Sequence, residues 1–223
     1  MIQALFYKEW VKLKWTVLFG FAFGLCSVLY IWSELAFVFR ESGAVAIWDA
    51  VLHQGFMYYV SFRYFPLLMG LALALFQMIP EVQHKRIKLV MHLPAHHLRV
   101  LFSHTLIGTM LLLGVFFVVS ALLLGISAIY FPYEIVVSVL QTIIPWLLAG
   151  WSIYLIVSFA VVEPKWNRRI AYVLIGLASV YLNYLYTRTG MYLHSLPLLL
   201  AVTLAYLPAM LFTGSRFKKG VQG

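Results

Sequence analysis

The positive charges of this chain fall in a rhythm. Long uncharged apolar runs fill most of its 223 residues, and lysine and arginine collect in every second gap between them. Lys8, Lys12 and Lys14 precede the first run. Lys85, Arg86, Lys88 and Arg99 separate the second from the third. Lys165, Arg168 and Arg169 separate the fourth from the fifth, and Arg216, Lys218 and Lys219 follow the sixth. Of the 16 basic residues, Arg40, Arg63 and Arg188 alone lie in the other gaps. Cytoplasmic loops of membrane proteins are enriched in lysine and arginine. The alternation therefore predicts both termini and the loops 80–99 and 163–169 inside, with 40–61, 131–134 and 188–194 outside.

Composition agrees with a membrane chain. Hydrophobic residues make up 64% and charged residues 10%, whereas a soluble domain carries roughly 25% charged residues. The polar surface is too small to cover a water-soluble globule. The net charge of +9 sits at the ends of apolar runs, where anionic headgroups attract it. No basic stripe with interleaved aromatics lies outside the runs, so nucleic acid is not an expected partner. Cys26, the single cysteine, lies within a run and reads as a small buried hydrophobe. Disulfide frameworks and CxxC sites are excluded. The first run is too long for a signal peptide and has no A-x-A-like cleavage site after it, so it is expected to be a retained span.

A helix needs about 20 apolar residues to cross a hydrocarbon core of roughly 30 Å. Six segments qualify, at about 15–39, 62–79, 100–130, 135–162, 170–187 and 195–213. They are too long, and alternate too little, for barrel strands. The expected fold class is all-α. It is a polytopic membrane protein with one transmembrane domain over 1–223. Pro145, Pro197 and Pro208 lie within spans and predict kinks. Residues 44–53 suit a short helix on the outer face, and 131–134 suit a tight outer turn.

Two segments outside the spans carry candidate function. In residues 2–14, Ile2, Phe6, Trp10 and Leu13 form an apolar stripe, with Lys8 and Lys12 on another face. That pattern predicts an amphipathic helix lying in the inner interface, its lysines toward headgroups. After the second span, Pro80 can open a helix at its first turn, with Glu81 favoured at the positive N-terminus. Glu81, His84, Lys85, Lys88 and His92 share one polar stripe, and Glu81 with Lys85 makes a favourable i,i+4 pair. Arg86 adds charge, and Ile87, Val90 and Met91 form an apolar patch. Leu93-Pro94-Ala95 then ends the segment. The result is a short charged helix exposed to the cytosol.

Here the sequence resembles a known family. A glutamate and a basic cluster followed by Lys88-Leu89-Val90-Met91-His92-Leu93-Pro94-Ala95-His96-His97-Leu98-Arg99-Val100 is similar to the loop after the second span of ABC-2-type transporter permeases. Phe6-Tyr7-Lys8-Glu9-Trp10-Val11-Lys12-Leu13-Lys14 is similar to that family's amphipathic entry helix. Length and six-span topology resemble it too. The resemblance implies a permease subunit of an ATP-binding cassette exporter in the cytoplasmic (inner) membrane of a bacterium. Its implied partners are a separate ABC ATPase subunit, which would bind ATP and Mg, and a second permease copy or a related permease. The segment Glu81, His84, Lys85, Arg86, Ile87, Lys88 and Met91 would be the coupling helix seated in the ATPase. Phe6, Lys8, Trp10 and Lys12 would mark the interfacial helix. The gap between the fifth and sixth spans is short where many relatives carry a larger outer element, so no substrate class follows.

The chain has no G-x-x-x-x-G-K-[ST] to cradle phosphates. HExxH and GxSxG are also absent, and no enzyme activity is expected. His92, His96 and His97 straddle Pro94 with no cysteine nearby, a poor metal site. Glu34, Arg63 and His104 lie near span ends, where snorkelling to the interface accounts for them. The alternative function is a membrane scaffold or assembly subunit that transports nothing.

Overall fold

A computed structural model describes residues 2–83, 97–163, 165–185 and 194–218, with the backbone alone at 2–5, 97–101 and 208–218. The described residues form helices and connecting turns, without strands. Helix α1 is Ile2–Leu52, followed by a 3₁₀ turn at Val60–Arg63. Then come α2 (Tyr64–Gln83), α3 (His97–Tyr130), α4 (Tyr133–Val162), α5 (Trp166–Tyr184) and α6 (Leu196–Lys218). Four of these, over Phe6–Leu52, Val60–Gln83, Phe102–Tyr130 and Tyr133–Val162, are long and apolar enough to cross a membrane. Helices are the expected solution there, because lipid offers no partner for an unpaired backbone group.

The side chains confirm which solvent the bundle is built for. Phe117 is 76% exposed, and Phe19, Phe37 and Ile129 also point outward, while Gln77, Glu9 and Ser152 are fully buried. Helix α5 shows the inversion most clearly. It buries Gly176, Ser179 and Asn183, and turns Val173, Leu174, Leu177 and Tyr181 to the surroundings. In water such an arrangement would expose a large apolar patch.

Helix α4 is the centre and touches α2, α3, α5 and α6. Close contact with α2 comes from paired glycines. A side-chain carbon at Gly70 would overlap the Gly150 carbonyl, and one at Gly150 would overlap that of Pro66. Small residues that let two backbones touch are a common helix-packing device in membranes. Residues 8–12, 77–81, 104–105 and 154 meet at one end of the bundle. Residues 39, 58–59, 127–131 and 146 meet at the other. Helices α1 to α4 therefore alternate in direction.

Two boundaries differ from those read in the sequence. No break separates 2–14 from the first span: α1 continues until Gly43, where φ is +75° and the helix kinks. Nothing between Ile2 and Trp15 is a glycine or proline, so the chain has no cause to stop there. The stretch before that kink, residues 2–42, is on the order of 60 Å long at 1.5 Å per residue, about twice the hydrocarbon core. Second, Pro80 does not open a new helix but lies inside α2, which runs on to Gln83. Its ring fits helical φ and forfeits one bond, to the carbonyl of residue 76. Helix α4 runs from Tyr133 to Val162 with Pro145 inside it, matching the fourth span read from the sequence. Helical segments do follow Gly43 up to Leu52, and Phe131-Pro132 makes the tight α3–α4 turn, both as the sequence suggested. The short segment tucks Ile47 and Val51 into the core.

Candidate functional site

The chain places a buried charge network where α1, α2, α3 and α4 converge. Glu9 on α1 is fully buried, as is Gln77 on α2, and Glu81 one turn further along α2 is 3% exposed. The Lys12 ammonium lies 2.9 Å from Glu9 Oε1 and 3.1 Å from Glu81 Oε1. It also donates to the Gln77 backbone carbonyl at 3.2 Å. Lys8 supplies a second cation to Glu81 at 2.9 Å. Two carboxylates and two ammoniums thus cancel, which removing any one of them would upset.

From α3, His104 brings Nδ1 within 3.2 Å of Glu9 Oε1. Gln77 joins the layers: its Nε2 donates to Glu9 Oε2 at 2.9 Å and to the His104 backbone carbonyl at 2.8 Å. Its Oε1 accepts from the Tyr154 hydroxyl of α4 at 2.7 Å. The Thr105 carbonyl, 3.2 Å away, is a second acceptor for that hydroxyl. Every hydrogen-bonding atom of the Gln77 side chain is engaged, as a buried amide requires. Gly108 makes room for this. A side-chain carbon there would collide with the Tyr154 hydroxyl and the Gln77 amide oxygen.

The network revises the reading of several residues. Lys8 and Lys12 both pair with Glu81 of α2, and Lys12 is largely covered. The stripe facing the bundle is Glu9 and Leu13, both fully buried, whereas Phe6 and Trp10 are 45% and 42% exposed. His104 is buried against Glu9 and does not snorkel. Arg63 does stay near the surface, donating to the Tyr64 hydroxyl at 2.6 Å over its ring. Glu81 carries Lys8 and Lys12 as partners and is nearly covered. His84, Lys85, Arg86, Ile87, Lys88 and Met91, and with them His92 and His96, lie outside the described residues.

Glu9, Gln77 and Tyr154 were not singled out as site residues from the sequence. Gln77 left a signal there, a lone amide inside an apolar span, which by default marks a functional or structural polar contact. Tyr154 left none, since an aromatic in a span reads as core. Among the described residues no cluster of three or more His, Cys, Asp and Glu could hold a metal. Comparison with family models, with curated proteins and with solved structures yields no match.

Proposed function

We propose that this chain is the permease subunit of an ABC exporter, resembling the ABC-2 type, in the cytoplasmic membrane of a bacterium. It crosses the membrane six times with both termini and the basic loops inside. Two copies, or one copy and a related permease, form the path, and ATPase subunits that bind ATP and Mg dock beneath. Residues 81–93 seat in the ATPase as the coupling helix.

The observation that carries this reading is the tie between Glu81 and the entry helix. Glu81 opens the segment that would meet the ATPase. It is held by Lys8 and Lys12 of α1, and Lys12 and Gln77 connect it onward to Glu9, His104 and Tyr154. A displacement of the coupling segment therefore loads four helices at once, through groups with fixed partners. Transmission between sites needs such a connected element with discrete arrangements.

The test is the double variant Lys85→Glu/Arg86→Glu, expressed beside the ATPase encoded nearest to this chain. Losing one partner of a desolvated interfacial charge pair costs roughly 2–5 kcal/mol. The variant is expected to insert and elute like the unaltered protein, while the ATPase no longer co-purifies or hydrolyses ATP without regulation by the permease. Unaltered protein that recruits no ATPase, or a double variant that retains it fully, would overturn the proposal.

A further inference from the structure

Between α2 and α5 the side of α4 lies open. Leu75 and Ile79 form one wall, Val173 and Leu177 the other, and Ile156 and Val157 the floor of a trough of about 700 Å³. That volume lies in the range of sites that take a drug-sized molecule, about 300–1,000 Å³. Gly176 holds α5 against α4, since a side-chain carbon there would come within 2.8 Å of Ile156 Cγ2. The polar lining sits at the end where α5 begins and comprises Gln83 and Arg169.

Arg169 is fixed but not saturated. Its guanidinium lies over the Trp166 ring at 4.9 Å, and Nη2 donates to the Glu163 backbone carbonyl at 2.9 Å. Its Nε has no acceptor, and a buried donor without an acceptor is costly. Lys165 and Arg168 stand beside it in sequence. The nearby acid, Glu163, forms an ion pair with Arg168 but, among the described residues, none with Arg169 or Lys165, and neither of its carboxylate oxygens is hydrogen-bonded. It is fully buried, and Arg168 Nη1 is 4.0 Å from its Oε1. The opposite end of the α2–α5 face also has a hollow, of about 390 Å³, bordered by Arg63, Tyr64 and Tyr184. There Arg63 is already engaged by Tyr64, and its own carbonyl accepts from the Tyr184 hydroxyl at 2.6 Å. The two ends are thus unlike, and the demand for an anion lies at one.

We infer that the trough binds an anionic phospholipid, with an acyl chain along α4 between α2 and α5 and the phosphate on Arg169, Lys165 and Arg168. Basic pockets between spans on the cytoplasmic side take anionic headgroups, and the charge pattern places 163–169 on that side. The occupant is a lipid and not a helix of a second copy. Helix packing in membranes wants small residues that let backbones approach, while these walls are branched and large and suit a flexible chain. The inference needs the chain to be in a membrane but does not need it to be a permease.

The full-length protein in mild detergent is titrated with phosphatidylglycerol and with phosphatidylcholine of the same acyl chains, and bound lipid is counted by native mass spectrometry. Phosphatidylglycerol is expected to bind at tenfold lower concentration. Arg169→Gln removes that preference, and Arg63→Gln keeps it. Val173→Trp, filling the trough from an exposed position, weakens both lipids without changing elution. Should Arg169→Gln aggregate, Lys165→Gln/Arg168→Gln replaces it and is expected to reduce the preference at least threefold. Equal binding of the two lipids overturns the inference. So does a preference that survives loss of the basic residues, or a Val173→Trp variant that loses its oligomeric state while the unaltered protein retains no lipid.

Discussion

The two ends of the bundle are held by opposite kinds of chemistry. At one end Glu9, Lys12, Gln77, Glu81, His104 and Tyr154 make contacts in which each donor has a particular acceptor. At the other end rings pack on rings. Tyr58 stacks on Phe131 at 4.8 Å, Phe39 meets Tyr130 at 5.0 Å, and Trp146 lies parallel to Tyr184 at 6.4 Å. Ring contacts are worth about 0.5–1.5 kcal/mol each beyond area burial and tolerate small shifts. A charge network in a low dielectric is stronger and less forgiving. The aromatic end therefore supplies adhesion, and the charged end supplies register. In the coupling proposed above, the charged end is where a displacement would be passed between helices, through partners that are each specific.

The sharpest way to break this contrast is to remove the shared cation. Lys12→Leu leaves Glu9 and Glu81 buried without the ammonium they have in common. Stranding a buried charge costs about 3–5 kcal/mol. Apparent melting of the detergent-solubilised protein, followed by size-exclusion chromatography after heating, is expected to fall steeply, with part of the population aggregated on extraction. Lys12→Arg, which keeps the charge, should recover most of the loss. Melting of Lys12→Leu equal to that of the unaltered protein would show that the network contributes nothing to register.

Next in size is a steric probe of the same junction. Gly108→Val drives a branched side chain into the Tyr154–Gln77 hydrogen bond. Overpacking costs about 1–3 kcal/mol, and loss of the bond adds about 0.5–1.5 kcal/mol. Gly114 lies on the same helix with nothing within 4 Å of its would-be side chain, so Gly114→Ala is the matched control. It is expected to leave melting unchanged or raise it slightly, because alanine is the better helix former. Equal losses at both glycines would mean that helix α3, and not the junction, sets the sensitivity.

The same contrast explains what the sequence disclosed. Helix existence was legible from the long apolar runs, and the tight turn at Phe131-Pro132 was legible from its proline. Helix ends were not, because no glycine or proline between Ile2 and Trp15 stops α1, and Pro80 forfeits only one backbone bond. Hence α1 runs through 14 and α2 runs through Pro80. Lys8, Lys12 and Glu81 stood out by charge alone, yet their mutual pairing did not. It joins positions 69 and 73 residues apart, and the i,i+4 pairing of Glu81 with Lys85 offered a nearer partner in sequence. Tyr154 was invisible, because its role resides in one hydroxyl aimed at one amide.

The smallest expected effect belongs to the aromatic end. The Tyr58 hydroxyl donates to Ser127 Oγ at 2.8 Å, and that same oxygen donates onward to the Leu123 carbonyl at 2.8 Å. Tyr58→Phe removes the first bond but keeps the stack on Phe131, and Ser127 retains an acceptor. The loss is one neutral hydrogen bond, about 0.5–1.5 kcal/mol, or a fall in melting of roughly 2–4 °C per kcal/mol for a chain of this size. Ser127→Ala is the harsher change, since it leaves the Tyr58 hydroxyl buried and without its partner, at about 1–3 kcal/mol. The order Lys12→Leu, then Ser127→Ala, then Tyr58→Phe, read in one detergent on one melting assay, tests the division of labour between the ends. If Tyr58→Phe matched Lys12→Leu, the aromatic end would hold register too, and the division of labour would fail.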